Sequence, residues 1–416
     1  MPTMFQVLAV IFSTSLFLGY LTQRFTVFQP NTAMILSSLI LVCTVLLGDH
    51  YLGISSAHQI SISIAQLDFK TIILEGLLGY LLFAGALSIN FNDLKEQLVE
   101  VGLLALLGTI ASTCFIGFIL FHLCHLFGHP IPLVYTLLFG SLISPTDPIA
   151  VLATLKQTHA PKAIRTCIAG ESLFNDGVGI VMFTALVMCI SEDIPLNTTF
   201  IVGLFAYKAI LGTLWGLASG YAMFRLINYK TPLTHMDAIL TIAMVTTTYT
   251  IAEHIHISGA LAMVSAGLTL RHLLQTYGVV SAQRQSNLYL LWHIIDEALN
   301  LVLFFLIGFE VVVLFNFTQY IGLIAWSILL CLIARFITVA IPLKLIKSWR
   351  PNTHPISTIT FGGLRGGLAI ALALSIPNNQ ETTRELILNL TYANVLFSLL
   401  IQSTLFTLMT RHHKTL

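Results

Sequence analysis

Two short stretches of this chain put oxygen-bearing side chains inside otherwise apolar runs. The first is Ser144-Pro145-Thr146-Asp147-Pro148 and the second is Glu171-Ser172-Leu173-Phe174-Asn175-Asp176. On a helix turning about 100° per residue, Ser172 and Asp176 share one face and Glu171 and Asn175 the next. Pro145 and Pro148 each lack an N–H, which leaves the carbonyls of Ser141 and Ser144 without a helical donor. Carboxylate, hydroxyl and freed carbonyl oxygens are hard ligands, suited to alkali cations rather than to zinc or copper. A carboxylate removed from water also gains affinity for a proton. One aspartate so placed binds a cation or a proton but not both, and that competition is the chemistry of an antiport cycle. A catalytic alternative reads Asp147 and Asp176 as a carboxylate pair sharing one proton, as in an intramembrane aspartyl hydrolase. It leaves the double proline unexplained, and equally the arginine ringed by glycines in Gly362-Gly363-Leu364-Arg365-Gly366-Gly367.

The elements that must hold these residues are set by composition. Of 416 residues, 56% are hydrophobic and 9% charged, with a mean hydropathy of +0.89. Ordinary globular chains carry about 25% charged residues, so a soluble enzyme and a disordered chain are both excluded. The net charge of +1 comes with no basic stripe, which argues against nucleic acid as a partner and for the lipid bilayer. A spanning helix needs about 20 apolar residues. Apolar windows bounded by charge, proline or Asn/Gly clusters number about thirteen. They run near 4–22, 32–50, 71–89, 98–127, 131–155, 162–190, 199–227, 235–254, 258–272, 288–314, 318–346, 354–377 and 386–410. The fold expected is an all-α polytopic membrane protein, a single transmembrane unit over 1–416, with Met1–Tyr20 as a first span and not a signal peptide.

Charge asymmetry orients the spans. With the C-terminus in the cytoplasm and thirteen crossings, only Lys70 and Arg384 of the 19 Lys and Arg fall outside, and Lys208, Arg335 and Arg365 fall within spans. The rest, Lys230, Lys347, Arg350 and Lys414 among them, lie on the cytoplasmic side, which puts the N-terminus outside. The location implied is a plasma membrane, in a bacterium the inner one. The fifth and twelfth spans are the poorly made helices, and they are seven apart. An odd offset inverts orientation, so spans 1–6 and 8–13 read as inverted repeats of six around a connector, the arrangement of secondary transporters with discontinuous helices at the site.

Other residues read more plainly. Glu75, Lys208 and Glu310 are read as structural or near-face charges. Cys43, Cys114, Cys124, Cys167, Cys189 and Cys331 lie in apolar runs without CxxC spacing and read as packing residues. His122, His125 and His129 cluster at one end of the fourth span, where an interfacial role is set against metal binding or pH sensing, as it is for His254 and His256. Sequons at Asn197 and Asn389 carry little weight.

The two opening motifs, continued as Ile143–Leu152 and Gly170–Gly179, resemble the monovalent cation:proton antiporters, closest to the NhaP-type and NHE-type sodium–proton exchangers. Ala252-Glu253 through Ile257-Ser258-Gly259-Ala260-Leu261-Ala262, Asn300 through Phe304-Phe305-Leu306-Ile307-Gly308, and Gly363-Leu364-Arg365-Gly366-Gly367 match further parts of that family, so the likeness runs from about residue 70 to 410. It implies no enzyme and no bound cofactor, with Na⁺ or Li⁺ and H⁺ as transported ions; K⁺ for Na⁺ is the alternative. Asp176 would carry cation or proton. Thr146 and Ser172 would be oxygen ligands to Na⁺, Asp147 a helper at the unwound crossing, and Asn175 the neutral neighbour associated with electroneutral exchange. Glu171 would pair with Arg365, the four glycines letting the arginine reach across. Core helices would cover 98–190 and 318–410, scaffold and homodimer helices 4–89 and 235–314, and the connector 199–227. One departure stands out: the family often has a glutamate where this chain has Ala84.

Overall fold

A computed structural model describes residues 4–25, 30–52, 71–158, 160–192, 197–228, 236–277, 281–314, 320–345, 355–377 and 380–412. Lys70, Lys230, Lys347, Arg350 and Lys414, used above to orient the chain, lie outside these residues. Helices account for nearly all of the described chain, and no strand occurs among the described residues. They are α1 (Met4–Phe25), α2 (Pro30–Leu52), α3 (Thr71–Ser88), α4 (Phe91–Glu96), α5 (Leu98–Leu126), α6 (Leu133–Ile143), α7 (Ile149–Gln157) and α8 (Lys162–Ser191). After them come α9 (Thr198–Ile227), α10 (Met236–His254), α11 (Gly259–Tyr277), α12 (Ala282–Leu314), α13 (Ile321–Leu345), α14 (Pro355–Phe361), α15 (Gly367–Leu374) and α16 (Glu381–Thr410).

Seven of these helical stretches are long and apolar enough to cross a membrane by length and composition: α3, α5, α8, α9, most of α12, α13 and α16. The chain is therefore an all-α polytopic membrane protein. Two windows that the sequence marks as single spans are each split. The fifth is α6 and α7, separated at Ser144–Pro148, and the twelfth is α14 and α15, separated at Gly362–Gly366. In the first, the two missing proline N–H groups stop the ladder. In the second, consecutive glycines weaken helix propensity by about 1 kcal/mol each.

Two apolar cores flank the breaks. One gathers α2, α5, α6, α13, α15, α16 and the second half of α12 around Phe139, Phe304 and Tyr392. The other gathers α3, α9, α10, α11, the start of α8 and the first half of α12 around Phe83, Met223 and Trp292. Between α9 and α11 the backbones come close along Gly212, Gly216 and Gly220. A β-carbon at Gly212 would lie 2.6 Å from the Ser258 carbonyl oxygen, and one at Gly220 2.6 Å from that of Ala266. At Gly216 it would overlap both Ala262 O and Ser265 Oγ. Small residues every fourth position are the usual means of such close approach in a membrane.

Candidate functional site

The two interruptions meet. Asp147 donates its backbone N–H to the Leu364 carbonyl at 2.8 Å, and the two residues form an isolated antiparallel bridge. Gly366 permits this contact, since a β-carbon there would sit 2.6 Å from Asp147 Oδ2. On the other side Gly179 of α8 faces the Pro145 ring, again with no room for a side chain. The crossing is thus wedged between α8 and the α14–α15 link.

Once the helix is broken, its polar groups are satisfied from outside. Arg365 Nη1 donates to Ser144 O at 3.0 Å and to Pro145 O at 3.3 Å. The Ser144 carbonyl is one of the two that the prolines deprive of a helical donor, and a guanidinium at the carboxyl end of α6 also matches the negative helix terminus. Asp147 Oδ1 accepts from Ile149 N at 2.9 Å and so caps the first turn of α7. The α14–α15 link is held in turn by α16. Ser398 Oγ accepts from Arg365 N at 2.7 Å, and Gln402 Nε2 donates to Phe361 O at 3.0 Å.

Thr146, Ser172 and Asn175 come together. Thr146 Oγ1 and Ser172 Oγ are 3.0 Å apart, Asn175 Nδ2 donates to Thr146 Oγ1 at 3.0 Å, and Thr146 N donates to Asn175 Oδ1 at 3.4 Å. All three are buried. Asn175 therefore clamps Thr146 through both its backbone and its hydroxyl. Asp176 follows Ser172 by one turn on α8 and lies within electrostatic reach of Asp147. Both aspartates are partly exposed, whereas the three neutral residues around them are closed off. Asp147 and Asp176 are partly exposed carboxylates, and Thr146 and Ser172 form a buried hydroxyl pair, all of them hard-oxygen groups.

The ion pair drawn from the sequence is corrected. Glu171, 1% exposed, is bonded by both terminal nitrogens of Arg335 in α13, and Arg335 Nη2 also reaches Ile359 O at 3.1 Å. Arg365 is engaged with the carbonyls of the break instead. The glycines explain the exchange of partners. Gly363 makes room for the Arg335 side chain, whose Nε would collide with a β-carbon there, and Gly366 makes room for Asp147. The glycine cluster admits other residues' side chains and does not free its own arginine. Arg335, Ser398 and Gln402 are thus positioning residues missed in the sequence. A lone arginine in the middle of an apolar span was the available signal for the first. Ser398 and Gln402, four apart on one helix face, gave a weaker one.

Elsewhere, His125 Nδ1 is 2.8 Å from Phe121 O, the His129 ring packs on Tyr320, and the six cysteines are free thiols. Among the described residues no group of three or more His, Cys, Asp or Glu is placed to hold a metal ion. Ala84 is buried in α3.

Fold and site together define a polytopic helical membrane protein organised around two crossed, interrupted helices. The family profile described as "Sodium/hydrogen exchanger, transmembrane" matches residues 15–412, and the chain belongs to that family. It is 35% identical over 408 residues to the Na(+)/H(+) antiporter NhaP of Pseudomonas aeruginosa, covering 96% of this chain and 94% of that one. It is 32% identical to the Na(+)/H(+) antiporter NhaH of Halobacillus aidingensis over 80% of this chain and 81% of the relative. The solved structure of the sodium proton antiporter MjNhaP1 from Methanocaldococcus jannaschii superposes with a TM-score of 0.74 at 15% identity, covering 98% of this chain and 97% of that one. That likeness is one of fold.

Proposed function

We propose that this protein exchanges Na⁺, or Li⁺, for H⁺ across the membrane, with one carboxylate, Asp176, binding cation and proton alternately. The observation that carries the reading is the closed trio of Thr146, Ser172 and Asn175 beside two partly exposed aspartates at a backbone break. Thr146 and Ser172 supply hydroxyl oxygens to the cation, and the Asp147 carboxylate is held by the α7 amino end as a fixed neighbour. The names of the relatives, all Na⁺/H⁺ antiporters among those reported above, support the same ions.

A single titrating carboxylate releases one proton for each monovalent cation bound, so exchange is one for one and electroneutral. Asn175 supports this, because it places an amide where a second acid would add a charge, and that amide is already engaged with Thr146. Alternating access moves helices 98–190 and 318–410 against a scaffold of 4–89 and 235–314, joined through 199–227, in a homodimer of the bacterial inner membrane with the N-terminus outside and the C-terminus in the cytoplasm.

Proteoliposomes test this directly. Addition of Na⁺ or Li⁺ should dissipate an imposed pH gradient, with K⁺ as the comparison ion. Asp176→Asn should fold and melt like the parent yet abolish the flux, and a potassium–valinomycin potential of either sign should leave the parental rate unchanged. Substantial Na⁺-driven proton flux in Asp176→Asn overturns the role of that residue. A voltage-dependent rate overturns electroneutrality.

A further inference from the structure

One stripe of α12 carries a second set of oxygens toward the crossing. Residues 292, 296, 300, 303 and 307 are spaced by four, four, three and four, and so share a helix face. The stripe is anchored at both ends. Trp292 packs on Phe83 of α3 with ring centroids 4.6 Å apart, and Leu303 and Ile307 press on Gly367, where a β-carbon would be 2.6 and 2.8 Å from their δ carbons. Gly367 adjoins Gly366, the residue in contact with Asp147. Asp296 and Asn300 therefore stand on the face of α12 turned toward the α15 amino end, between two packed anchors.

Their local geometry is that of an incomplete ligand set. Asn300 Nδ2 donates to Asp296 Oδ1 at 3.1 Å and to Asp296 O at 2.8 Å, which fixes the amide orientation. Its other atom, Oδ1, is buried without a hydrogen-bond partner among the described residues, in a residue only 6% exposed. A buried acceptor left unmade is expensive, and each such group in a native structure calls for a missing donor, water or ion. Asp296 is itself partly exposed, and its charge interacts with that of Asp147. His293 and Glu297, the neighbouring charges on α12, pair with each other 3.7 Å apart and are both exposed.

We infer that Asp296 and Asn300 form a second, weaker site for the transported monovalent cation, a loading site through which the ion reaches Asp147 and Asp176. A free carboxylate oxygen and an orphaned amide oxygen supply two hard ligands, and water completes the shell. A cation held there also offsets the repulsion between Asp296 and Asp147. The inference rests on the antiport reading for its transport consequences, but not for binding itself.

Two measurements on the full-length protein test it. In proteoliposomes, Asp296→Asn and Asn300→Ala should each raise the KM for Na⁺ about tenfold while the maximal rate stays within about threefold, with Asp296→Glu partly restoring the KM. In detergent, with choline as the reference cation, protein carrying Asp176→Asn should keep a residual Na⁺-dependent rise in melting temperature that disappears when Asp296→Asn is added. Parental KM values in both variants overturn the loading site and leave the antiport reading standing. A fallen maximal rate with unchanged KM overturns it too, in favour of a purely structural role. If the parent shows no cation-driven proton flux, the antiport reading fails, and the Asp296-dependent melting shift alone decides the site.

Discussion

Glycine brings helices together in two regions of this protein, and the two use it differently. In the α9–α11 seam, Gly212, Gly216 and Gly220 let one unbroken helix lie against another, and what they touch is mainly backbone carbonyl and small side chain. At the crossing, Gly363 and Gly366 admit an arginine and an aspartate, and the broken backbone takes its hydrogen bonds from Arg365, Asn175, Ser398 and Gln402. In the seam volume is the constraint. In the crossing it is the satisfaction of polar groups, which outside water is the harder demand. A run of small residues in an apolar helix therefore carries two meanings, decided by what the neighbouring helix presents to it.

The contrast can be sharpened by substitution. The largest effect is expected at Arg335→Ala, which strands the Glu171 carboxylate in the interior and should lower stability by about 3–5 kcal/mol, read as a sharp fall in melting temperature. Replacing both partners, Arg335→Met with Glu171→Leu, should recover most of that loss. Next comes Gly216→Ala in the seam, where the added methyl meets the Ala262 backbone and should destabilise by about 1–3 kcal/mol. Ser398→Ala leaves the buried Arg365 N–H without its acceptor, an effect of about 1–3 kcal/mol that should be accompanied by slower exchange because the crossing shifts. Smallest is Gly203→Ala on α9, where a β-carbon meets nothing within 4 Å and the gain in helix propensity should raise stability by about 0.5–1 kcal/mol. Should Gly216→Ala slow exchange in the folded protein more than Ser398→Ala does, the division between the two regions breaks down.

Much of the fold is legible in the amino-acid sequence. The apolar windows locate the helices because helix ends coincide with proline, charge and Asn/Gly clusters, and both interruptions follow from Pro145, Pro148 and the glycines at 362–367. Helical spacing by itself puts Ser172 on one face with Asp176 and Asn175 on the next with Glu171, and only the family resemblance groups Thr146, Ser172 and Asn175. The partner of Glu171 follows from neither. Arg335 and Arg365 are equivalent as residues in apolar surroundings, and only the path of the α14–α15 link decides which guanidinium faces the carboxylate. Ser398 and Gln402 escaped for a similar reason: a polar residue on a buried helix face shows that it needs a partner but not which one, and the π-helical turn at Phe397–Gln402 alters the register of that face.

The bond from Arg365 to Ser144 joins residues 221 positions apart, and this bears on how the protein is made. At synthesis rates of about 5–20 residues per second, the interval between the two residues leaving the ribosome is on the order of tens of seconds. Throughout that time α6 and α7 are in place with their break unsealed, and the Ser144 and Pro145 carbonyls lack the guanidinium that later serves them. In hydrocarbon each such group carries a penalty of several kcal/mol, so the early helices must shelter the break against α8, lipid headgroups or water until the last part of the chain arrives. The crossing therefore cannot be sealed before Arg365 has been made, and chains stopped short of it should keep the Ser144 and Pro145 carbonyls without that donor.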